Sequence, residues 1–199
     1  MFYPFPPSPS KYNTVGEISY WAEAFPTQDI EKIEELVTEE LTQSTVRSKD
    51  AEVDLESRNS KNSWISANPK SGWLYDRVSG IIRSVNSDRY NFDLWGFTEH
   101  LQYTVYEEGQ HYDWHYDSIG SGKYVTSPRK LSFSIQLSDP NTYEGGDLIF
   151  KTGRTDSKPA IKTQGHVIIF PSYLLHKVTP VTKGTRKSLV GWVSGPAFK

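Results

Sequence analysis

His115 and Asp117 stand two residues apart, His176 follows much later, and Arg186 comes ten residues after that. Two imidazoles and one carboxylate can occupy one face of an octahedral ion and leave the opposite face open, the arrangement in which non-haem Fe(II) activates dioxygen. Within a strand, residues two apart leave the same face about 7 Å apart along the backbone, so His115 and Asp117 can converge on one ion while Tyr116 points away. His111 and Asp113 form a second pair of the same spacing in the same run, and strand periodicity alone does not choose between the two pairs. His176 follows the apolar run Val167 to Phe170 and the turn Pro171-Ser172, where a strand has just ended and a side chain can be aimed inward. Arg186 and Ser188 can both face inward from one strand, and a buried guanidinium beside a hydroxyl is a good receptor for a carboxylate. Taken alone, Arg186 beside Lys183 and Lys187 would read as a solvated surface arginine.

The elements that position these residues belong to a chain of 199 residues, long enough for one domain with a substantial core, taken as 1–199. Cysteine is absent, which excludes a disulfide framework, a thiolate zinc cluster and a cysteine nucleophile, so any metal must be held by His and carboxylate. The formal net charge of −2 supplies no overall field toward a polyanion, and nucleic acid is not the expected partner. No basic segment followed by an apolar run opens the chain, and no stretch approaches the ~18 apolar residues of a membrane span. A cytoplasmic location without a membrane partner is the expectation.

Residues 1–20 carry Pro4, Pro6, Pro7 and Pro9, which suits an extended surface arm. From Thr27 to about Gln43, Ile30, Ile33, Leu36, Val37 and Leu41 recur at helical spacing, with Thr27 or Asp29 available as N-cap. Residues 47–63 are polar and without a clean period, which predicts a loop placed where it could act as a lid. A second helix is predicted over 71–85, where Leu74, Val78, Ile81, Ile82 and Val85 share a face. From Phe92 onward, β-branched and aromatic runs at 101–106, 130–137, 147–150, 166–170 and 188–193 alternate with Pro, Gly and Asn turn signals. Helices first and strands afterward predict a mainly β fold with flanking helices, the helices packed on one sheet of an antiparallel sandwich or jelly roll.

Taken together, these residues resemble the 2-oxoglutarate and Fe(II)-dependent dioxygenases, specifically the prolyl-4-hydroxylase-like branch. The resemblance lies in Tyr106-x-x-Gly109-x-x-Tyr112-x-x-His115-x-Asp117, the segment Leu131 to Pro140, the Gly145-Gly146-Asp147-Leu148 turn, Gly165, Phe170-Pro171, His176 and Arg186. It spans about Leu101 to Val193, roughly half the chain, and is closest to small bacterial hydroxylases of the PKHD type.

The resemblance implies a double-stranded β-helix, or distorted jelly roll, with a catalytic β core over about 95–195 and iron at its open mouth. It selects His115, Asp117 and His176 as catalytic metal ligands over His111 and Asp113, leaving His111 at the pocket edge and His100 and His166 structural or solvent-facing. Arg186 would pair with the distal carboxylate of 2-oxoglutarate, a position held by lysine in collagen-type members. Lys187 is the rival anchor and would face the other side of the strand. Ser188, Tyr106, Tyr103 and Gln136 are further candidates for the co-substrate site. Tyr112, Trp114 and Trp95 are candidates for an aromatic substrate cleft. The implied cofactors are Fe(II), 2-oxoglutarate as co-substrate, O2 and ascorbate as reductant. The implied reaction hydroxylates an unactivated C–H bond with release of succinate and CO2, on a prolyl residue of a peptide or protein, or on a small molecule. Three other readings compete: an oxidative nucleic-acid demethylase of the same superfamily, a non-catalytic jelly-roll binding module, and a zinc hydrolase whose ligands would leave the carboxylate receptor unexplained.

Overall fold

Alternating apolar and polar residues in the second half of the chain become strands of two facing sheets in the computed structural model, which describes residues 18–44, 54–118, 128–153, 155–156 and 159–198. The chain runs β1 (Ser19–Trp21), α1 (Thr27–Glu35), β2 (Thr42–Gln43), β3 (Arg58–Asn59), β4 (Lys61–Ile65), α2 (Gly72–Val85), β5 (Leu101–Tyr106), β6 (His111–His115), β7 (Arg129–Gln136), β8 (Tyr143–Gly145), β9 (Leu148–Thr152), β10 (Thr155–Asp156), β11 (Val167–Pro171), β12 (His176–Val178), β13 (Val181–Gly184) and β14 (Arg186–Ser194). The larger sheet has the order β1-β11-β7-β14-β5-β4-β2, the smaller β10-β9-β12-β6-β3, and β8 pairs with β13. This is the mainly β, two-sheet architecture that the sequence predicts.

Both faces of the larger sheet are buried, and strand alternation divides them. Leu101, Tyr103 and Val105 of β5, Leu131, Phe133 and Ile135 of β7, and Leu189 and Val193 of β14 join a core with Ile30 and Ile33 of α1 and Leu74, Val78, Ile81, Ile82 and Val85 of α2. The intervening residues point at the smaller sheet. There, Tyr106, Ile168 and Phe170 pack with Leu148, Phe150, Val178 and Val181 in a second core. The helices therefore stiffen the larger sheet from outside, while its inner face is free to carry polar groups.

Helix α2 keeps the predicted extent and passes into a π turn over Asn86–Tyr90, closed by Asn91 in the left-handed region at φ 53. Helix α1 stops at Glu35, well short of Gln43. Glu39 and Glu40 would lie near the C-terminus of a helix reaching Gln43, where the helix dipole disfavours negative charge, and Thr42–Gln43 instead pairs with β4. Its N-cap position is Pro26, and Asp29 is turned to Arg77 of α2.

The predicted loop at 47–63 is corrected in its second half. Arg58–Asn59 pairs with β6 as the edge strand of the smaller sheet and Lys61–Ile65 pairs with β5 in the larger one, so one short stretch supplies a strand to each sheet. Two-residue strands and a run such as Lys-Asn-Ser-Trp-Ile give too little alternation to be read locally. Residues 45–53 of that loop, and 1–17 of the predicted arm, lie outside the described residues, and Ser19–Trp21 at the arm's end pairs with β11. Among the described residues, no helix is long and apolar enough to cross a membrane.

Candidate metal centre and its pocket

Strand β6 decides which histidine faces inward. It pairs with β12 through Tyr112↔Val178 and His115↔His176, so three steps on β6 match two on β12. The extra residue is a β-bulge, and it reverses the side-chain parity of the strand. Tyr112 and His115 consequently point the same way, stacked with ring centroids 3.5 Å apart at 12°. His111 stays at the edge, its Nε2 3.0 Å from the carbonyl of Glu56, and Asp113 is exposed. The two His-x-Asp pairs are thus separated by an irregularity that spacing does not reveal.

Asp117 is not on β6, as its two-residue spacing from His115 had suggested, but just beyond it. Its N–H donates to the Ser172 carbonyl at 3.0 Å, so the turn after β11 holds it in place. The Ser132 hydroxyl on β7 donates to Asp117 Oδ2 at 2.7 Å and pairs with the Ser172 hydroxyl at 2.9 Å, and both serines are fully buried. Asp117 Oδ1 lies 3.7 Å from His115 Nε2 and Oδ2 3.5 Å from His176 Nε2. One ligand atom from each of the three residues falls within 4.8 Å of the others, the only such His and carboxylate cluster among the described residues.

The donor set fits a divalent metal. His115 Nδ1 lies 2.8 Å from the Asp113 carbonyl and His176 Nδ1 2.8 Å from the Leu174 carbonyl. A carbonyl only accepts, so each ring donates from Nδ1 and leaves the Nε2 lone pair facing the centre. Burial first, and the neighbouring His176 second, push His115 well below its ordinary pKa, which keeps its ring neutral. Burial would raise the Asp117 carboxyl, but His176, His115 and the Ser132 hydroxyl outweigh it and hold it below its usual value. Neutral imidazoles and an ionised carboxylate are the forms a metal requires.

These groups open on a cavity of about 410 Å³ between the sheets, within the range of small-molecule sites. Arg186, buried at one side of it, donates to the Ser188 hydroxyl at 3.2 Å and to Gln136 Oε1 at 3.3 Å, with its guanidinium 5.4 Å from the Tyr106 ring centroid. Lys187 points the other way, to Glu34 of α1 at 2.8 Å.

Three of the predicted positions are not in the pocket. Tyr103 belongs to the helix-side core, where its hydroxyl meets Glu34 at 3.3 Å, because on β5 only Gln102, Thr104 and Tyr106 face inward. Trp114 is turned outward by the bulge and lies beneath Lys151 and Lys177. Trp95 is 61% exposed and is tied by its backbone to Ser194. The aromatic rim is built instead from Trp64 and Trp192, with centroids 6.4 Å apart, and Tyr116. Tyr112 does line the cavity.

Spacing also missed Arg58, Arg129 and Ser132. Arg129 makes a two-pronged pair with Glu99, both contacts at 2.6 Å, and its guanidinium lies 3.7 Å over the Trp192 ring. A signal was present for the serines. In Leu131-Ser-Phe-Ser-Ile-Gln, polar residues alternate with large apolar ones in a central strand, and polar groups on an enclosed face serve a site rather than solvent.

Residues 101–194 match the sequence model of the 2OG-Fe(II) oxygenase superfamily. A PKHD-type hydroxylase of Synechococcus sp. (strain CC9605) is 44% identical over 85 residues, covering 43% of this chain and 37% of the relative. One from Prochlorococcus marinus is 36% identical over 127 residues, covering 62% of this chain and 55% of the relative. The match thus spans about half or less of these relatives' length. A Pseudomonas putida prolyl-4-hydroxylase superposes with a TM-score of 0.69 at 18% identity, over 90% of this chain and 93% of that one. A Trichoplax adhaerens prolyl hydroxylase, in complex with a hypoxia inducible factor oxygen degradation domain peptide fragment, superposes with a TM-score of 0.73 at 14% identity, over 89% and 83%. At these identities the two structures speak to the fold.

Proposed function

We propose that the chain, whose residues 101–194 match the 2OG-Fe(II) oxygenase superfamily, is a 2-oxoglutarate- and Fe(II)-dependent dioxygenase that hydroxylates an unactivated C–H bond. The observation that carries this reading is the meeting of His115, Asp117 and His176 in one pocket with a buried arginine that has no carboxylate partner among the described residues. His115, Asp117 and His176 are the proposed ligands, and Arg186, with Ser188, Tyr106 and Gln136 around it, the proposed receptor for the distal carboxylate of 2-oxoglutarate. Bound Fe(II) would supply the redox chemistry, coupling reduction of dioxygen to oxidation of the C–H bond and of 2-oxoglutarate to succinate and CO2. Ascorbate is the proposed reductant.

The protein's own residues bind, orient and exclude water. The carbonyls of Asp113 and Leu174 lock both rings with Nε2 inward, and Ser132 fixes one oxygen of Asp117. Gln136 and Ser188 hold the Arg186 fork in place before any ligand arrives, which lowers the ordering cost of binding a carboxylate. Phe170, Leu148 and Val178 form the apolar wall of the cavity and restrict water there. A prolyl residue of a peptide is one proposed substrate, in keeping with the names of the two structural neighbours, a prolyl-4-hydroxylase and a prolyl hydroxylase in complex with a peptide fragment.

Succinate formation from 2-oxoglutarate, followed by NMR after air is admitted to anaerobic Fe(II)-loaded protein, tests the reading. Wild type is expected to form succinate and Asp117→Ala none. No succinate from wild type in the presence of proline-containing peptides, together with no binding of 2-oxoglutarate, would move the assignment to a binding module or a hydrolase.

A further inference from the structure

The pocket holds a second buried guanidinium besides Arg186, the receptor proposed for the co-substrate. Arg58 is 8% exposed, and among the described residues no carboxylate pairs with it. Its Nε donates to the Ser60 hydroxyl at 3.1 Å and its Nη2 to Gln102 Oε1 at 2.9 Å. A guanidinium has five N–H donors, so three remain for a ligand. Arg129 is neutralised by Glu99, and Arg186 is the receptor proposed for 2-oxoglutarate. An uncompensated buried charge is costly, so a group like Arg58 persists where a ligand brings the counter-charge.

Arg58 is also placed apart from Arg186. Its partner Gln102 and the Arg186 partner Gln136 lie on β5 and β7, with β14 between them and one inward-facing row of offset. Strand spacing and rise put those two positions about 12 Å apart, so one small dicarboxylate chelated at the metal is not needed to satisfy both. In the smaller sheet, β12, β6 and β3 are successive neighbours and carry His176, His115 and Arg58. The Arg58 guanidinium stands 4.6 Å from the Tyr112 ring centroid, and that ring stacks 3.5 Å from His115, so these distances add to no more than about 8 Å from guanidinium to ligand ring.

We propose that Arg58 is a specificity-determining residue that binds a carboxylate of the substrate to be hydroxylated. This rests on the oxygenase reading and narrows it: the substrate is an acid whose carboxylate lies within a few bonds of the oxidised carbon, either a free amino acid or the terminal residue of a peptide. Tyr112, between Arg58 and His115, would then set the distance from carboxylate to metal.

Side-chain Nε–Hε resonances of arginine provide the test, in protein loaded with redox-inert Zn(II) and saturated with 2-oxoglutarate. Acetate is expected to shift the Arg58 signal, and acetamide is not. L-Proline, N-acetylglycyl-L-proline and its C-terminal amide then separate the sources: tighter binding of the first indicates a free amino acid, of the second a chain terminus. The amide should bind roughly tenfold or more weakly than the acid. Arg58→Gln should remove that preference, and Arg58→Lys should restore part of it. Because the acid and amide comparison is made on wild type, it remains decisive if a variant fails to fold. No acetate response at Arg58, or equal binding of acid and amide, overturns the proposal. Loss of 2-oxoglutarate binding in Arg58→Gln overturns it too, by making Arg58 part of the co-substrate site. If 2-oxoglutarate fails to move the Arg186 signal, the oxygenase reading falls instead.

Discussion

Ser132→Ala removes one hydroxyl that is not itself a proposed metal ligand but holds one, and its effect on the metal centre can be worked from the structure. The Ser132 hydroxyl donates to Asp117 Oδ2 at 2.7 Å, at a site where both it and Ser172 are fully buried. A hydrogen bond to a charged group contributes about 1.5–3 kcal/mol, and each 1.4 kcal/mol is a factor of ten, so metal affinity should fall about 10- to 100-fold. Losses of that size are general for groups that orient metal ligands. The same change leaves the buried Ser172 hydroxyl short of a partner, which costs about 1–3 kcal/mol of stability and lowers Tm by about 2–4 °C per kcal/mol in a chain of this size. Mn(II) titration monitored by EPR, beside a thermal melt, reads the two effects separately. The decisive result is the titration: if Ser132→Ala binds Mn(II) within threefold of wild type while its melt is lowered, Asp117 does not depend on Ser132 and the account of the centre is wrong.

A Cβ at Gly146, whose φ is +60°, would sit 2.8 Å from Arg186 Cδ, so Gly146→Ala should displace the guanidinium and weaken 2-oxoglutarate binding roughly tenfold or more by calorimetry without altering a polar group. Gly191 faces Phe133 across β14 and β7, and a Cβ there would meet that ring at 2.6 Å and Leu101 at 2.8 Å; Gly191→Ala should therefore overpack the helix-side core and destabilise by about 1–3 kcal/mol in urea unfolding. Asp29 is held below its ordinary value of 3.8, chiefly by its hydrogen bond from Arg77. A carboxylate with a depressed folded-state pKa contributes stability that is fully present above the unfolded value and is lost as pH falls through the folded one. Asp29→Asn should thus cost about 1 kcal/mol at neutral pH, reduced from a fully buried pair because Arg77 is partly exposed, and the difference from wild type should close below about pH 3.8 in acid titrations of unfolding.

The sequence by itself determined the metal-binding residue types, the helical face of α2 and the β-rich second half, because each is written in local spacing and periodicity. The alternation in β5, β7 and β14 also carries the division between a helix-packed face and an inner polar face, and it places Tyr103, a candidate for the co-substrate site, on the helix-packed one. What only the tertiary structure decided depends on which strand lies beside which. The bulge opposite His176 separates His115 from His111 and turns Trp114 outward; it exists in the pairing of β6 with β12 and has no signature in either strand alone. Asp117 reaches the centre through Ser172 and Ser132, residues 40 positions apart from each other in sequence. Arg58 enters the pocket because a two-residue strand pairs with β6 at the edge of the smaller sheet. Register and edge pairing are set by contacts distant along the chain, whereas spacing records only near neighbours.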